Sequence, residues 1–270
     1  MAATESFSRL LEIMDKLRTK CPWDKEQTIE SLRHLTIEET YELTDAILEK
    51  DMAAVRMELG DLLLHIVFYA KIASETDDFN ITDVIDGICE KLIFRHPHVF
   101  GNVSVNDAEN VKANWEKLKI KEGNKSILGG VPRSLPAMVK AHRIQDKARA
   151  VGFDWEEREQ VWGKVEEELN EIKAEIEQMN VEEIESEFGD LFFSLVNAAR
   201  LYGVDPEAAL ERTNKKFIKR FNYIEQHAMK TGKTLASMTL NEMDIVWEEA
   251  KTSPTDHSPH PPAPSPKERG

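Results

Sequence analysis

Acidic side chains recur in one spacing at two places in the sequence. Each place carries the motif E-E-x-x-E, followed further along the chain by E-x-x-D and an apolar run. The carboxylates are Glu38, Glu39, Glu42, Glu58 and Asp61 in the first copy and, at one constant offset, Glu167, Glu168, Glu171, Glu187 and Asp190 in the second. On a helix, residues three or four positions apart share a face, so each motif places carboxylates side by side. Like charges at the edge of an apolar run are partly desolvated and therefore need cations.

The chemistry of these ligands indicates the ion. Carboxylate oxygens with no Cys or His among them suit a hard divalent cation, which predicts Mg2+, with Mn2+ as a substitute. A Mg2+ ion held by a few carboxylates keeps positions open for water and for substrate phosphates. A single E-E-x-x-E motif is typical of a solvated helix face, and the second copy is what favours a metal site. The pattern therefore predicts a phosphoryl-transfer site.

Helices must position these side chains. Apolar residues recur at helical spacing along most of the chain, as in Phe7, Leu10, Leu11 and Met14, whereas strand-like alternation is nearly absent. The turn at residues 49–52 is short, so we expect an antiparallel helical hairpin with its acidic faces opposed. The sequence predicts an all-α protein.

The repeat extends beyond the charged residues. Apolar residues after the acidic motifs match at the same offset, with Leu62, Val67 and Ala70 corresponding to Leu191, Val196 and Ala199. Gly, Pro and Ser gather between residues 123 and 136, which is typical of a linker. We therefore predict tandem helical-bundle modules at 1–122 and 138–251, joined by a linker at 123–137. Residues 252–270 carry six of the eleven prolines and are predicted to form a disordered tail.

Composition excludes several classes of protein. A formal net charge of -15 argues against nucleic-acid binding, because affinity for the phosphate backbone needs clustered Lys and Arg. The longest apolar runs are too short to cross a bilayer, and no secretion signal opens the sequence. Cys21 and Cys89 are far apart and form no C-x-x-C pair. We expect a cytoplasmic protein that contacts neither membrane nor nucleic acid.

Several other features bear on nucleotide binding. Lys216 and Arg220 lie four residues apart, so both could hold the outer phosphates of a triphosphate. Trp247 could either stack on a base or pack in the core. The segment T-G-K-T at 231–234 is not a Walker A loop, because His227 stands where that motif requires Gly. No Glu is followed three residues later by His, which argues against a di-iron bundle.

The ordered set of motifs resembles the MazG nucleoside triphosphate pyrophosphohydrolases over residues 7–251. The set comprises E-E-T-Y-E with E-L-G-D, C-P-W-D-K-E-Q-T at 21–28, R-H-P-H-V-F at 95–100, and E-E-L-N-E with E-F-G-D. The resemblance implies an α-helical, Mg2+-dependent enzyme that forms a homodimer or higher homo-oligomer. It also implies hydrolysis of NTPs and dNTPs to the monophosphate and pyrophosphate, which clears excess or damaged nucleotides.

Transferred residue by residue, the resemblance implies two groups of site residues. The metal ligands would be Glu168, Glu171, Glu187 and Asp190, with Glu39, Glu42, Glu58 and Asp61 as their counterparts in the first module. The nucleotide contacts would be Lys164, Glu167, Glu168, Glu187, Lys216, Arg220 and Trp247. Leu35 replaces Lys164 in the first module, so we expect the second module to be the main catalyst.

The expected mechanism directs a metal-activated water at the α-phosphorus, so that pyrophosphate leaves. Lys216 and Arg220 would stabilise the leaving charge, and Glu167 is the candidate general base or water positioner. One alternative is a sensor that binds Mg-nucleotide without hydrolysing it. Another is a purely structural helical scaffold, which would show no Mg2+-dependent change in thermal stability.

Overall fold

The structure, a computed structural model, describes residues 2–101 and 126–252. Every regular element in these two ranges is a helix, which confirms the predicted all-α class. The first six helices are α1 (Ala3–Lys20), α2 (Pro22–Glu26), α3 (Ile29–Glu49), α4 (Met52–Ser74), α5 (Ile81–Arg95) and α6 (Pro97–Phe100). The next five are α7 (Ala137–Arg149), α8 (Val161–Gln178), α9 (Val181–Leu201), α10 (Pro206–Lys230) and α11 (Leu240–Thr252).

The chain divides into two compact units, Met1–Ser104 and Val105–Gly270. The predicted end of the first module, at residue 122, lies outside the described residues, and so does the predicted tail from residue 253 onwards. Both therefore stay predictions. The described part of the predicted linker packs within the second unit, where Lys147 Nζ donates to the Ile127 carbonyl at 3.1 Å.

A helical hairpin forms the centre of each unit, as the short turn at residues 49–52 predicts. Helices α3 and α4 pack along each other in the first unit, and α8 and α9 do so in the second. Lys50 ends α3 in the left-handed conformation with φ 59°, and Met179 ends α8 with the same φ. Asp51 then caps α4 by accepting from the Ala53 amide at 2.9 Å. The matching turns place the two acidic motifs of each unit on adjacent, packed helices.

The two units bury different cores. In the first unit Met14, Leu32, Val67 and Phe68 form one cluster that joins α1, α3 and α4. In the second unit a cluster of Ile224, Ala228, Met238 and Val246 joins α10 and α11. Trp247 packs against this second cluster.

None of the described helices is both long enough and apolar enough to span a membrane. The predicted cytoplasmic location and the predicted absence of a nucleic-acid partner stay predictions.

Candidate metal and nucleotide site

The acidic motifs converge in the first unit. One oxygen from each of Glu39, Glu58 and Asp61 lies within 4.8 Å of the others. Desolvation raises the pKa of Glu39, and the charges of Asp61, Glu42 and Glu58 raise it further. Desolvation also raises the pKa of Glu58, together with the charges of Glu42 and Asp61. These directions show carboxylates that repel one another in a partly dry groove.

The second unit also brings three acidic side chains together, with Glu171 in the cluster in place of the counterpart of Asp61 and with one member more deeply buried. One oxygen from each of Glu168, Glu171 and Glu187 lies within 4.8 Å of the others. The side chain of Glu168 is only 5% exposed. Desolvation raises the pKa of Glu187, followed by the charges of Glu171 and Asp190. The fourth predicted ligand, Asp190, therefore acts on the same cluster.

Lys164 distinguishes the second cluster from the first. Its Nζ lies 2.6 Å from Glu168 Oε1 and 2.9 Å from Glu167 Oε1. These hydrogen bonds raise the pKa of Lys164, so its ammonium remains charged beside the acidic cluster. Leu35 occupies the matching position in the first unit and packs against the apolar core. Only the second cluster therefore carries a cationic side chain at this position.

A cavity of about 860 Å³ opens beside the second acidic cluster. Its lining includes metal-ligand candidates, an ion pair, amide side chains and apolar or aromatic residues. These residues are Leu128, Ile144, Gln145, Ala148, Gly152, Phe153, Asp154, Trp155, Val161, Lys164, Glu168, Glu171, Glu187, Asp190, Phe193, Ser194, Asn197 and Arg200. The volume falls within the range of pockets that enclose small organic ligands.

Beyond the carboxylates, the cavity is lined mainly by apolar and aromatic side chains, with amides and one ion pair among them. Arg200 donates to both carboxylate oxygens of Asp154, one of these bonds being 3.1 Å from Nη1 to Oδ2. Arg200 also donates from Nε to Asn197 Oδ1 at 3.0 Å. Gln145 donates from Nε2 to the Phe193 carbonyl at 2.8 Å. The cavity thus combines the acidic cluster with a largely apolar lining that carries a few hydrogen-bonding side chains.

Comparison with known proteins places this site in a family. A model of the MazG nucleotide pyrophosphohydrolase domain matches the chain twice, over residues 27–100 and 157–224. The chain belongs to the MazG nucleotide pyrophosphohydrolase family. The two matches confirm the tandem organisation, because each contains one complete acidic motif pair.

Curated relatives are similar in sequence to this chain along nearly its whole length. The Thermotoga maritima nucleoside triphosphate pyrophosphohydrolase/pyrophosphatase MazG is 46% identical, over 91% of this chain and 95% of its own length. The Escherichia coli K12 nucleoside triphosphate pyrophosphohydrolase is 42% identical, over 93% of this chain and 98% of its own. A solved mazG-related protein from Thermotoga maritima is 28% identical, over 42% of this chain and 98% of its own, with a TM-score of 0.38. That score is too low to support a structural argument.

Four predicted residues of this MazG chain lie apart from the cavity lining. Glu167 has a 56% exposed side chain and is held by Lys164. Lys216, Arg220 and Trp247 are also absent from the lining. Arg220 instead lies over the Trp247 ring, with its guanidinium carbon 5.6 Å from the ring centroid. The catalytic and nucleotide-binding roles of these four residues stay predictions.

The acidic motifs did not predict the two amides in the cavity lining, Gln145 and Asn197, although a comparison of the two repeats distinguishes these positions. I-Q-D-K-A-R at 144–149 matches I-M-D-K-L-R at 13–18, which places Gln145 opposite Met14. At the constant offset, Asn197 stands opposite Phe68. At these two positions an apolar side chain in the first MazG domain is replaced by an amide in the second, which indicates that the two domains differ there in what the side chain contacts. Comparing only the charged positions overlooks this difference.

Proposed function

We propose that the second unit hydrolyses nucleoside triphosphates and deoxynucleoside triphosphates to the monophosphate and pyrophosphate, with Mg2+ as the required ion. The enzyme class is that of the curated relatives, which carry the name nucleoside triphosphate pyrophosphohydrolase at 42% and 46% identity. The observation that carries the proposal is a single cavity lined both by the acidic cluster and by apolar, aromatic and amide side chains. A triphosphate and a nucleoside need these two environments side by side.

The donor set of the acidic cluster fits a hard divalent cation. Glu168, Glu171, Glu187 and Asp190 offer only carboxylate oxygens, and desolvation together with the charges of the other three raises the pKa of Glu187. These four side chains would hold Mg2+, or Mn2+ in its place. When bound, such an ion neutralises triphosphate charge and lowers the pKa of a coordinated water.

The protein's own side chains orient the triphosphate and limit access of water. Lys164 is fixed by Glu168 and Glu167 at the rim of the acidic cluster, where its ammonium can meet a phosphate oxygen. The burial of Glu168 keeps one carboxylate rigid and away from bulk solvent. Val161 and Ile144 give the cavity an apolar wall that excludes water from the reacting end.

A homodimer or higher homo-oligomer is part of the proposal. Helix α9 carries metal-ligand candidates and also exposes Phe188, Phe192 and Leu195, whose side chains are 41%, 58% and 40% exposed. Exposed apolar side chains on one helix favour burial against another protein surface. Sedimentation of the purified chain would test this part, with a monomer at micromolar concentration as the contradicting result.

A product assay tests the reaction. Purified protein is incubated with Mg2+ and a panel of NTPs and dNTPs, and pyrophosphate and orthophosphate are measured separately. Pyrophosphate with the monophosphate is the expected result, whereas orthophosphate would place cleavage at a different bond. Mg-nucleotide binding without either product would favour the sensor. No change in thermal stability with Mg2+ and nucleotide would favour the scaffold.

A further inference from the structure

The cavity of the second unit occupies a place that the first unit fills with apolar side chains. Val161, Lys164, Phe193 and Asn197 line the cavity, and the constant offset pairs them with residues of the first unit. Their counterparts are Leu32, Leu35, Leu64 and Phe68. All four counterparts belong to the core cluster of the first unit or pack against it, and so does Met14, the counterpart of Gln145. Among the described residues the acidic hairpin is thus repeated, while the positions that line the cavity in the second unit are part of the apolar core in the first.

Gln145 is the most unusual side chain in this cavity. The residue is only 6% exposed. Its Nε2 donates to the Phe193 carbonyl at 2.8 Å, which fixes the orientation of the amide. Its Oε1 is buried and has no hydrogen-bond partner within the described parts of the chain. A buried acceptor without a donor costs free energy, and a ligand that supplies the donor would remove that cost.

Asn197 supplies the complementary group. Its Oδ1 accepts from Arg200 Nε at 3.0 Å and from Arg200 Nη2 at 2.8 Å, so this oxygen is already engaged. Its Nδ2 makes no hydrogen bond to another residue in the described ranges and remains available as a donor. Asp154 in turn holds Arg200, whose side chain is 5% exposed. The Asp154–Arg200 ion pair therefore fixes the orientation of the Asn197 amide.

The spacing along α9 suits a nucleotide. Asn197 follows Asp190 by two turns, or about 10 Å of helix axis. The Phe193 carbonyl that holds Gln145 points along the helix towards Asn197, because helical carbonyls bond the amide four residues later. Both amides therefore contact the stretch of α9 from Phe193 to Arg200, which begins about one turn beyond Asp190. A nucleoside bound along this stretch would direct its phosphates towards the carboxylates.

We propose that Gln145 and Asn197 form a nucleobase-recognition subsite, in which Gln145 Oε1 accepts a base N–H and Asn197 Nδ2 donates to a neighbouring base acceptor. The subsite rests on the proposed function and specifies its substrate as a complete nucleoside triphosphate, as opposed to any Mg-bound polyphosphate. A base edge with adjacent donor and acceptor is the ligand chemistry that two fixed amides read. The first unit, with Met14 and Phe68 at these positions, lacks this subsite.

The test compares two ligands that differ only by the nucleoside. Gln145→Met imports the first unit's residue and removes the acceptor, and Asn197→Asp keeps the contact with Arg200 but removes the donor. Each variant is expected to raise KM for nucleoside triphosphates about tenfold or more. Calorimetric binding of inorganic tripolyphosphate with Mg2+ should stay unchanged in both variants. Gln178→Met, an exposed position at the end of α8, is the matched control and should alter neither ligand.

Two results would overturn the subsite. One is an unchanged KM for nucleoside triphosphates in both variants. The other is an equal loss for tripolyphosphate and nucleotide, which would indicate general damage to the cavity. If Gln145→Met fails to fold by circular dichroism, Asn197→Asp decides. If the unaltered protein releases no pyrophosphate, the proposed function fails separately, and calorimetric binding of nucleoside triphosphate by the same variants still tests the subsite.

Discussion

The two units share an acidic hairpin but differ in what lies behind it. In the first unit Leu35 and Phe68 belong to the apolar core at positions where the second unit has Lys164 and Asn197 beside a cavity. Desolvation and neighbouring carboxylates raise the pKa of Glu39 and Glu58 in the first unit and of Glu187 in the second. The comparison teaches that the acidic hairpin and the cavity beside it are separate features of this fold. A few side chains beside the acidic hairpin determine whether this cavity is present.

A hydrogen-bonded group in the first unit reinforces this difference. Thr36 Oγ1 lies 2.7 Å from His65 Nδ1 and 2.7 Å from the Tyr69 hydroxyl. Burial lowers the pKa of His65, which favours the neutral ring inside the core. At the constant offset the second unit has Val165, Ser194 and Ala198 at these three positions, and Ser194 lines the cavity. His65 and Tyr69 thus have the smaller Ser194 and Ala198 as counterparts, and Val165 lacks the hydroxyl of Thr36.

The largest expected effect separates the units by activity. Asp190→Asn should lower kcat/KM for nucleoside triphosphates about a hundredfold or more, because metal binding contributes several kcal/mol to charge stabilisation. Asp61→Asn makes the same change in the first unit and should leave most of the turnover in place. Pyrophosphate release measures both. Comparable losses in the two variants would contradict the assignment of catalysis to the second unit.

The next effect concerns stability. Phe68 is 2% exposed, so Phe68→Ala should lower the free energy of unfolding by about 3–5 kcal/mol. Asn197→Ala removes its counterpart beside the cavity and should cost only about 1–2 kcal/mol, mainly from the lost bonds to Arg200. Urea denaturation measures the difference, and hydrogen exchange assigns it to α4 or α9. A larger loss for Asn197→Ala would show that the cavity lining is a structural core.

A third prediction imports one residue of the first unit into the second. Lys164→Leu should raise KM for nucleoside triphosphates roughly tenfold, because a charged hydrogen-bond donor to phosphate is lost. The variant should also melt at a lower temperature without Mg2+, since the buried Glu168 loses its cation, and Mg2+ should restore much of the loss. Lys173→Leu, at an exposed position of the same helix, is the control. An unchanged KM would remove Lys164 from the site.

The fold followed from the sequence because its signals are local and repeated. Helical spacing, the short turn at residues 49–52 and the constant offset of the acidic motifs each depend on neighbouring residues, and the structure confirms the hairpin. The convergence of Glu168, Glu171 and Glu187 followed for the same reason. The pocket did not, because Gln145 reaches it from α7 and depends on how that helix packs on α9. Trp247 was ambiguous in the sequence, since core packing and base stacking place the same demand on an aromatic residue.

The smallest expected effect tests what the two units have in common. Folding raises the pKa of the Glu187 carboxyl above its ordinary value of 4.5. The free energy of unfolding therefore falls as the pH rises from 4.5 through the raised pKa, and the whole loss is present at neutral pH. Glu187→Gln and Glu39→Gln should therefore both raise Tm at pH 7 in the absence of divalent ions, and the gain should vanish below pH 4.5. Adding Mg2+ at pH 7 should stabilise the unaltered protein more than either variant. Thermal unfolding across pH, with and without Mg2+, measures these changes in Tm. An increase in Tm for Glu187→Gln but not for Glu39→Gln would contradict a metal site in the first hairpin.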